Sequence, residues 1–163
     1  MIKTEAKPTY TVRSRKDEED AIIAQAIQIL ESRVCHGRVI SSPGDAIDYI
    51  RLKYAELDHE VFGVLYLTNR NAVIDAEEVL FTGTIDQAAV FPREVLKKVL
   101  AKGAAQVILF HNHPADIPEP SKSDERITRK LQEALKLIDV KVLDHVVVSR
   151  SGSVSFAERG LLL

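Results

Sequence analysis

A single cysteine, Cys35, among 163 residues cannot close an internal disulfide, and structural disulfides belong to oxidising compartments. The opening MIKTEAKPTY is polar and has no signal-peptide hydrophobic region, and no apolar run approaches a membrane span. These absences lead to the expectation of a cytoplasmic protein with no membrane association. Charge of one sign is lacking as well. The 22 Lys and Arg against 24 Asp and Glu leave a net charge of −2, which gives no electrostatic case for direct nucleic-acid binding. Repeats and low-complexity segments are absent. What remains, 45% hydrophobic and 28% charged residues, fits one soluble domain large enough to bury a sizeable core.

Periodicity orders the chain. Met1 to Lys16 read as an irregular or extended arm, in which Thr4 to Val12 has the composition to add a strand to a neighbouring subunit; a disordered terminus is the commoner outcome, and the oligomeric state stays open. An acidic start and a face of Ile22, Ala26, Ile29 and Leu30 predict a helix over residues 17–33. The turn Ser41-Ser42-Pro43-Gly44 is the best internal boundary, dividing an N-terminal arm and helix (1–42) from a domain (43–163). A helical pattern through Ile47, Ile50 and Leu57 follows, then strand-like runs at 61–68, 72–81 and 84–90. Next come a helix opened by Pro92 and ended near Gly103, an apolar strand Val107-Ile108-Leu109-Phe110, and a loop with Pro114, Pro118 and Pro120. A helix with Ile127, Leu131, Leu135 and Ile138 at helical spacing and a strand over 143–149 complete the order. This is an α/β (α+β) pattern: a mixed central β-sheet with helices packed on its faces.

One constellation in this order carries chemistry. The run HNHPADIPEPSKSD, residues 111–124, sets out H-x-H-x(7)-S-x(2)-D. Zinc accepts imidazole nitrogen and carboxylate oxygen, and a catalytic site supplies three protein ligands so that water can take the fourth tetrahedral position. His111, His113 and Asp124 make up that number. The histidines end a strand, whose period of two turns both to one side, and Asp124 rides the first turn of the next helix. Chance alone gives some H-x-H pair in roughly 15% of chains with this many histidines; requiring Ser and Asp at fixed offsets lowers the coincidence below about one in a thousand. The bland reading of Ser121 and Asp124 is a capping box ahead of an apolar-periodic helix. The two readings are compatible, because a cap would rigidify the ligand.

Two other classes are set aside. In HNH nucleases the three letters are dispersed through a hairpin-and-helix unit, whereas here they are adjacent. Zinc deaminases need H-x-E followed by P-C-x-x-C, and this chain has neither that Glu nor a second cysteine.

The run resembles the JAMM (MPN+) metalloprotease motif, and the surrounding sequence resembles the RadC-like branch of that superfamily. The likeness extends from Pro43 to Phe156 and includes Glu60 to Asn71 (EVFGVLYLTNRN), Phe81-Thr82-Gly83-Thr84, Phe91-Pro92-Arg93-Glu94, HNHP and Asp144-His145-Val146-Val147-Val148. Family members often carry Ser-Gly after HNHP where this chain has Ala115-Asp116, so a different loop conformation near the cleft is expected. The helix-hairpin-helix region that precedes the domain in longer RadC proteins has no counterpart in the N-terminal stretch.

The resemblance implies a JAMM/MPN (cytidine-deaminase-like) architecture and a Zn2+ hydrolase of metallopeptidase or isopeptidase type, cleaving an amide bond by metal-activated water. It implies that Glu60 is the general base and that Ser121 donates a hydrogen bond to the oxyanion. Spacing alone does not choose Glu60 over Glu56, Glu77, Glu78 or Glu94; the likeness around Val61 to Leu67 does. His145 reads as a hydrogen-bonded structural residue beside Asp144 rather than a fourth ligand, since a fourth would close the coordination sphere. His36 and His59 read as surface residues. Arg126, Arg129, Lys130 and Lys136 alternate with Glu125 and Glu133, a solvated face. The expected partner is a peptide or other amide-bearing substrate of unknown identity. The rival class is a non-catalytic RadC-like interaction domain associated with DNA repair or metabolism.

Overall fold

The structure is a computed structural model that describes residues 14–34, 39–40, 42–83 and 90–162. The elements run α1 (Arg15–Val34), α2 (Pro43–Tyr54), β1 (Val61–Leu67), β2 (Val73–Thr82), α3 (Pro92–Lys102), β3 (Gln106–Asn112), α4 (Lys122–Lys136), β4 (Lys141–Val148) and β5 (Ser153–Ser155). The five strands form one sheet in the order β2-β1-β3-β4-β5. β3 and β4 are parallel, joined through α4, and the other neighbours are antiparallel. The expected mixed sheet with helices on its faces is what the chain forms.

Strand alternation assigns the two faces. In β1, Val61, Leu65 and Leu67 pack with Ala46, Tyr49, Ile50 and Tyr54 of α2, whereas Phe62, Val64 and Tyr66 pack with Val95 and Val99 of α3 and Leu131 and Leu135 of α4. β3 follows the same rule, with Ile108 and Phe110 on the α2 face and Val107 and Leu109 on the other. Buried on both sides, β1 is apolar along its whole length rather than alternating. Leu131 and Leu135, each fully buried, contribute on the order of 2 kcal/mol apiece through area removed from water, so α4 is held firmly against the sheet.

Helix ends follow local chemistry. Ser42 caps α2, accepting from the Asp45 N–H, and α3 begins with Pro92 and ends at Gly103, whose φ of 62° is the left-handed cap that glycine favours. α1 starts at Arg15, so the end of the expected arm is helical. Ser14 and Asp17 exchange hydrogen bonds there, with Ser14 N–H donating to Asp17 Oδ2 at 2.8 Å and Asp17 N–H to Ser14 Oγ at 3.2 Å. Of the face expected on α1, Leu30 packs against the core, while Ile22 and Ile29 are exposed. β5 was not expected at all. The run 84–90 lies outside the described residues except for Val90, which is not in a strand, and the Thr4 to Val12 arm, Cys35 and His36 also lie outside them. Among the described residues no helix is long and apolar enough to cross a membrane.

Gly63 pairs with Phe110 across β1 and β3, and a Cβ at this position would collide with the Phe110 ring. That ring is fully buried and lies 4.8 Å from the ring of Tyr54, so it has nowhere to move. Gly63→Ala is therefore expected to destabilise the domain by about 1–3 kcal/mol through overpacking. The check is a lower denaturant midpoint with an unchanged slope.

Candidate metal centre

The carboxyl end of β3 and the amino end of α4 meet at one edge of the sheet, a common position for ligand sites in sheets with parallel strands. His111 is the last α4-facing residue of β3. His113 lies just beyond it, where its backbone N–H still donates to Val148 O at 2.8 Å and extends the ladder with β4. The loop then turns through Asp116, whose φ is 60°, a region costly for most residues other than glycine. Ser151 holds Asp116 there through both side chain and backbone: its N–H donates to Asp116 Oδ1 at 2.6 Å, and its Oγ donates to the Asp116 carbonyl at 2.7 Å. Further on, Arg159 donates to both carboxylate oxygens of Glu119 at 2.6 and 2.7 Å, tying the loop to the C-terminal segment.

Ser121 and Asp124 form the full capping box of α4. Ser121 N–H donates to Asp124 Oδ2 at 2.7 Å, Ser121 Oγ–H to the same oxygen at 2.6 Å, and Asp124 N–H to Ser121 Oγ at 3.1 Å. Asp124 is thereby aimed across the helix end at the histidines. Its Oδ2 lies 3.6 Å from both His111 Nε2 and His113 Nε2, which are 3.0 Å apart. His111, His113 and Asp124 are a group that can hold a metal ion. A tetrahedral ion at bond lengths near 2.0–2.1 Å would set its ligands about 3.3 Å apart, and the observed separations bracket that value. His111 is buried, whereas the His113 and Asp124 side chains are 19% and 16% exposed, so one side of the group is open.

Charge in the site is strongly coupled. Burial would raise the Asp124 pKa, but the His111 and His113 side chains and Ser121 outweigh it and hold the carboxyl far below its usual range. Burial lowers His113, and the Asp124 carboxylate with the Ile117 carbonyl more than reverses this, so its pKa lies above the ordinary value. Burial first, then the neighbouring His111, hold His145 well below the ordinary imidazole value, and it is neutral. Glu60, half-buried just before β1, is raised chiefly by burial and feels the charges of His111, Asp124 and His113. The structure thus brings Glu60 to the same edge as the histidines and Asp124. Glu94, one of the alternatives, instead pairs with Lys97 and Arg93 in the first turns of α3, and Glu56 pairs with Arg150.

Sequence reasoning passed over Asn112, although it stands between the two histidines. Facing the opposite side of the sheet and fully buried, its Oδ1 accepts from Val61 N–H at 2.7 Å and its Nδ2 donates to His59 O at 3.0 Å. These bonds bracket Glu60 and fix the start of β1 against the end of β3. His59 is a surface residue as expected, its side chain 42% exposed, and its ring faces Asp58 at 2.8 Å. Asp144, beside His145, is buried and accepts from Ser155 Oγ, Ala157 N–H and His145 N–H.

A mixed sheet covered by helices on both faces, with a His-x-His strand end meeting a helix-borne Asp, is the arrangement of a JAB/MPN-type domain. The model of one such family, the RadC-like JAB domain, matches residues 40–161. A UPF0758 protein of Vibrio cholerae serotype O1 is 49% identical over 149 residues, 91% of this chain and 93% of that protein. A UPF0758 protein of Leptothrix cholodnii is 50% identical over 149 residues, 91% of this chain and 67% of that protein. Another, of Dechloromonas aromatica, is 56% identical over 123 residues, 75% of this chain and 54% of that protein. The chain belongs to the RadC-like JAB domain family, as the EVFGVLYLTNRN and HNHP segments led one to expect, and spans about half to two thirds of its longer relatives.

Two outcomes follow from the geometry. Asn112→Ala leaves the buried Val61 N–H without its acceptor and is expected to cost about 2 kcal/mol, read as a lower unfolding midpoint. The second concerns pH. His113 has a folded pKa above its unfolded value of 6.5, so the stability its charged form lends the metal-free protein is complete below that value and is lost as pH rises through the folded pKa. A metal requires the neutral ring and works in the opposite direction. The rise in melting temperature on adding zinc should therefore be larger at about pH 8 than at about pH 6, measured by differential scanning fluorimetry; an equal rise at both would contradict this assignment of His113.

Proposed function

We propose that this domain is a zinc-dependent metallohydrolase of the metallopeptidase or isopeptidase type, acting on a peptide or other amide-bearing substrate. The observation that carries the reading is the convergence of His111 Nε2, His113 Nε2 and Asp124 Oδ2 at separations of 3.0 and 3.6 Å on an open side of the site, beside a carboxyl with a raised pKa. These donors fit zinc in type, number and spacing. When bound, zinc supplies a Lewis acid that acidifies water and polarises a carbonyl oxygen.

The remaining work falls to the chain. Glu60, raised by burial and coupled to the site's charges, is suited to take a proton from the attacking water and deliver it to the leaving amine, because a carboxylate with a raised pKa is the better proton acceptor and, with a pKa nearer the working pH, can still pass the proton on. Ser121 donates a hydrogen bond to the substrate oxygen as negative charge develops there. In the metal-free protein its hydroxyl hydrogen is spent on Asp124 Oδ2, which also accepts from the Ser121 N–H. A cation on Asp124 Oδ2 would compete with these two hydrogen bonds. The backbone bond belongs to the helix cap, so the hydroxyl is the group released towards substrate, and Ser121 Oγ can still accept from Asp124 N–H.

Metal content by elemental mass spectrometry tests the site first. About one zinc per chain is expected in the original protein, with loss in folded His113→Ala and Asp124→Ala; a folded, zinc-free original that refuses added zinc would sink the reading. Glu60→Gln is expected to keep its zinc and lose about 10²–10⁴-fold in turnover once an amide substrate is found. Zinc-loaded protein that leaves a broad amide panel uncleaved would favour the non-catalytic interaction domain.

A further inference from the structure

Behind the ion-facing atoms lies a buried chain of polar side chains that the reaction proposed above does not use. Thr128, one turn into α4 from Asp124, donates its hydroxyl to the Asp124 carbonyl at 2.6 Å. The same Oγ1 lies 2.6 Å from His145 Nδ1, and His145 Nε2 lies 2.8 Å from His111 Nδ1. Thr128, His145 and His111 are all essentially without solvent contact, so no water can exchange partners with them. The His145 ring is also clamped, stacked on Phe156 at 4.7 Å with its edge against Phe62 at 5.5 Å.

Hydrogen accounting then gives the chain a direction. A carbonyl oxygen only accepts, and a threonine hydroxyl has one hydrogen, so the hydrogen of Thr128 is committed to Asp124 O. Its Oγ1 must accept from His145 Nδ1–H. A neutral imidazole that donates from Nδ1 accepts at Nε2, so His145 Nε2 accepts from His111 Nδ1–H. His111 in turn keeps an unprotonated Nε2. That atom points at His113 Nε2 and Asp124 Oδ2. The opposite polarity would strip Thr128 from the Asp124 carbonyl and place an N–H of His111 where a metal needs a lone pair. His113 is set by a shorter device, its Nδ1 facing Ile117 O at 2.7 Å, which in the neutral ring leaves its Nε2 unprotonated as well.

We infer that Thr128 and His145 are positioning residues that hold His111 in the tautomer with its hydrogen on Nδ1, so that Nε2 presents a lone pair to a cation. The inference rests on reading His111, His113 and Asp124 as a metal site. It also has a geometric corollary: the relay starts at the Asp124 backbone and ends at His111, so one ligand sets the proton position of another. Partners of metal-bound histidines characteristically fix ring tautomer and orientation, and losing one typically costs 10–100-fold in metal affinity.

The experiment uses the ¹⁵N-labelled full chain, stripped of metal, with long-range ¹H–¹⁵N spectra of the imidazole nitrogens, followed by zinc titration against a chromophoric chelator. In the original protein His111 and His145 are expected to carry their hydrogens on Nδ1. Thr128→Val removes the acceptor for His145 Nδ1–H at nearly constant shape; it should shift both rings towards the Nε2–H tautomer and weaken zinc binding by about 10-fold or more. Thr128→Ser keeps the hydroxyl and should restore both readouts. His111 found with its hydrogen on Nε2 in the original protein overturns the inference, as does a folded Thr128→Val with unchanged tautomers and zinc affinity. Should Thr128→Val not fold, the spectra of the original protein and of Thr128→Ser decide. The spectra need no metal, so a chain that refuses zinc but shows the Nδ1–H pair would remove the metallohydrolase reading while leaving the tautomer assignment standing.

Discussion

His111 Nε2, His113 Nε2 and Asp124 Oδ2 converge at 3.0–3.6 Å, too close for three bare lone pairs, so the group favours a proton or another cation among them. Holding them there has an energetic cost that the rest of the domain must offset. The cost is met by rigidity: β3 is buried in the middle of the sheet, α4 is anchored by Leu131 and Leu135, and the loop between them is pinned through Asp116 and Glu119. A group preorganised in this way binds a cation more readily than one that must first assemble. The raised pKa of His113 expresses the same constraint, since a proton is the cation available to the metal-free protein.

Both faces of the sheet contribute. Alternation along β3 sends His111 towards α4 and Asn112 towards α2, so adjacent residues serve different ends. Asn112 fixes the backbone on either side of Glu60, while Thr128 and His145 support His111 from beneath. The open edge therefore rests on buried polar contacts, and among the described residues none of the buried side-chain polar atoms lacks a partner. Fully satisfied networks of this kind rigidify a site, whereas partly satisfied ones loosen it.

Legibility in the sequence followed locality. The helices around Pro92, Pro43 and Asp124 were readable because caps and 3.6-residue spacing are short-range signals, and β1 and β3 because their apolar runs are continuous. β5 was invisible: Ser-Val-Ser offers three residues with little to mark them, and they form a strand only because β4 provides an edge to pair with. The apolar stripe on α1 was misjudged, since composition says which residues can be buried but not which side meets α2. His111, His113 and Asp124 sit within 14 residues in a recognisable order. Glu60 does not, and only resemblance to a family singled it out from four other glutamates.

The sequence by itself determined the sheet-and-helix class, the grouping of His111, His113 and Asp124 that can hold a metal, and the capping box, because each depends on short spacings along the chain. Tertiary structure alone decided that β1 lies beside β3, which brings Glu60 to the His111 end and lets Asn112 hold the backbone on either side of Glu60, and that β4 lies on the other side, which seats His145 between His111 and Thr128. The physical reason is that pairing between strands joins residues 34 to 51 positions apart. At those separations the chain carries no periodicity, and proximity is set only by how the buried faces pack.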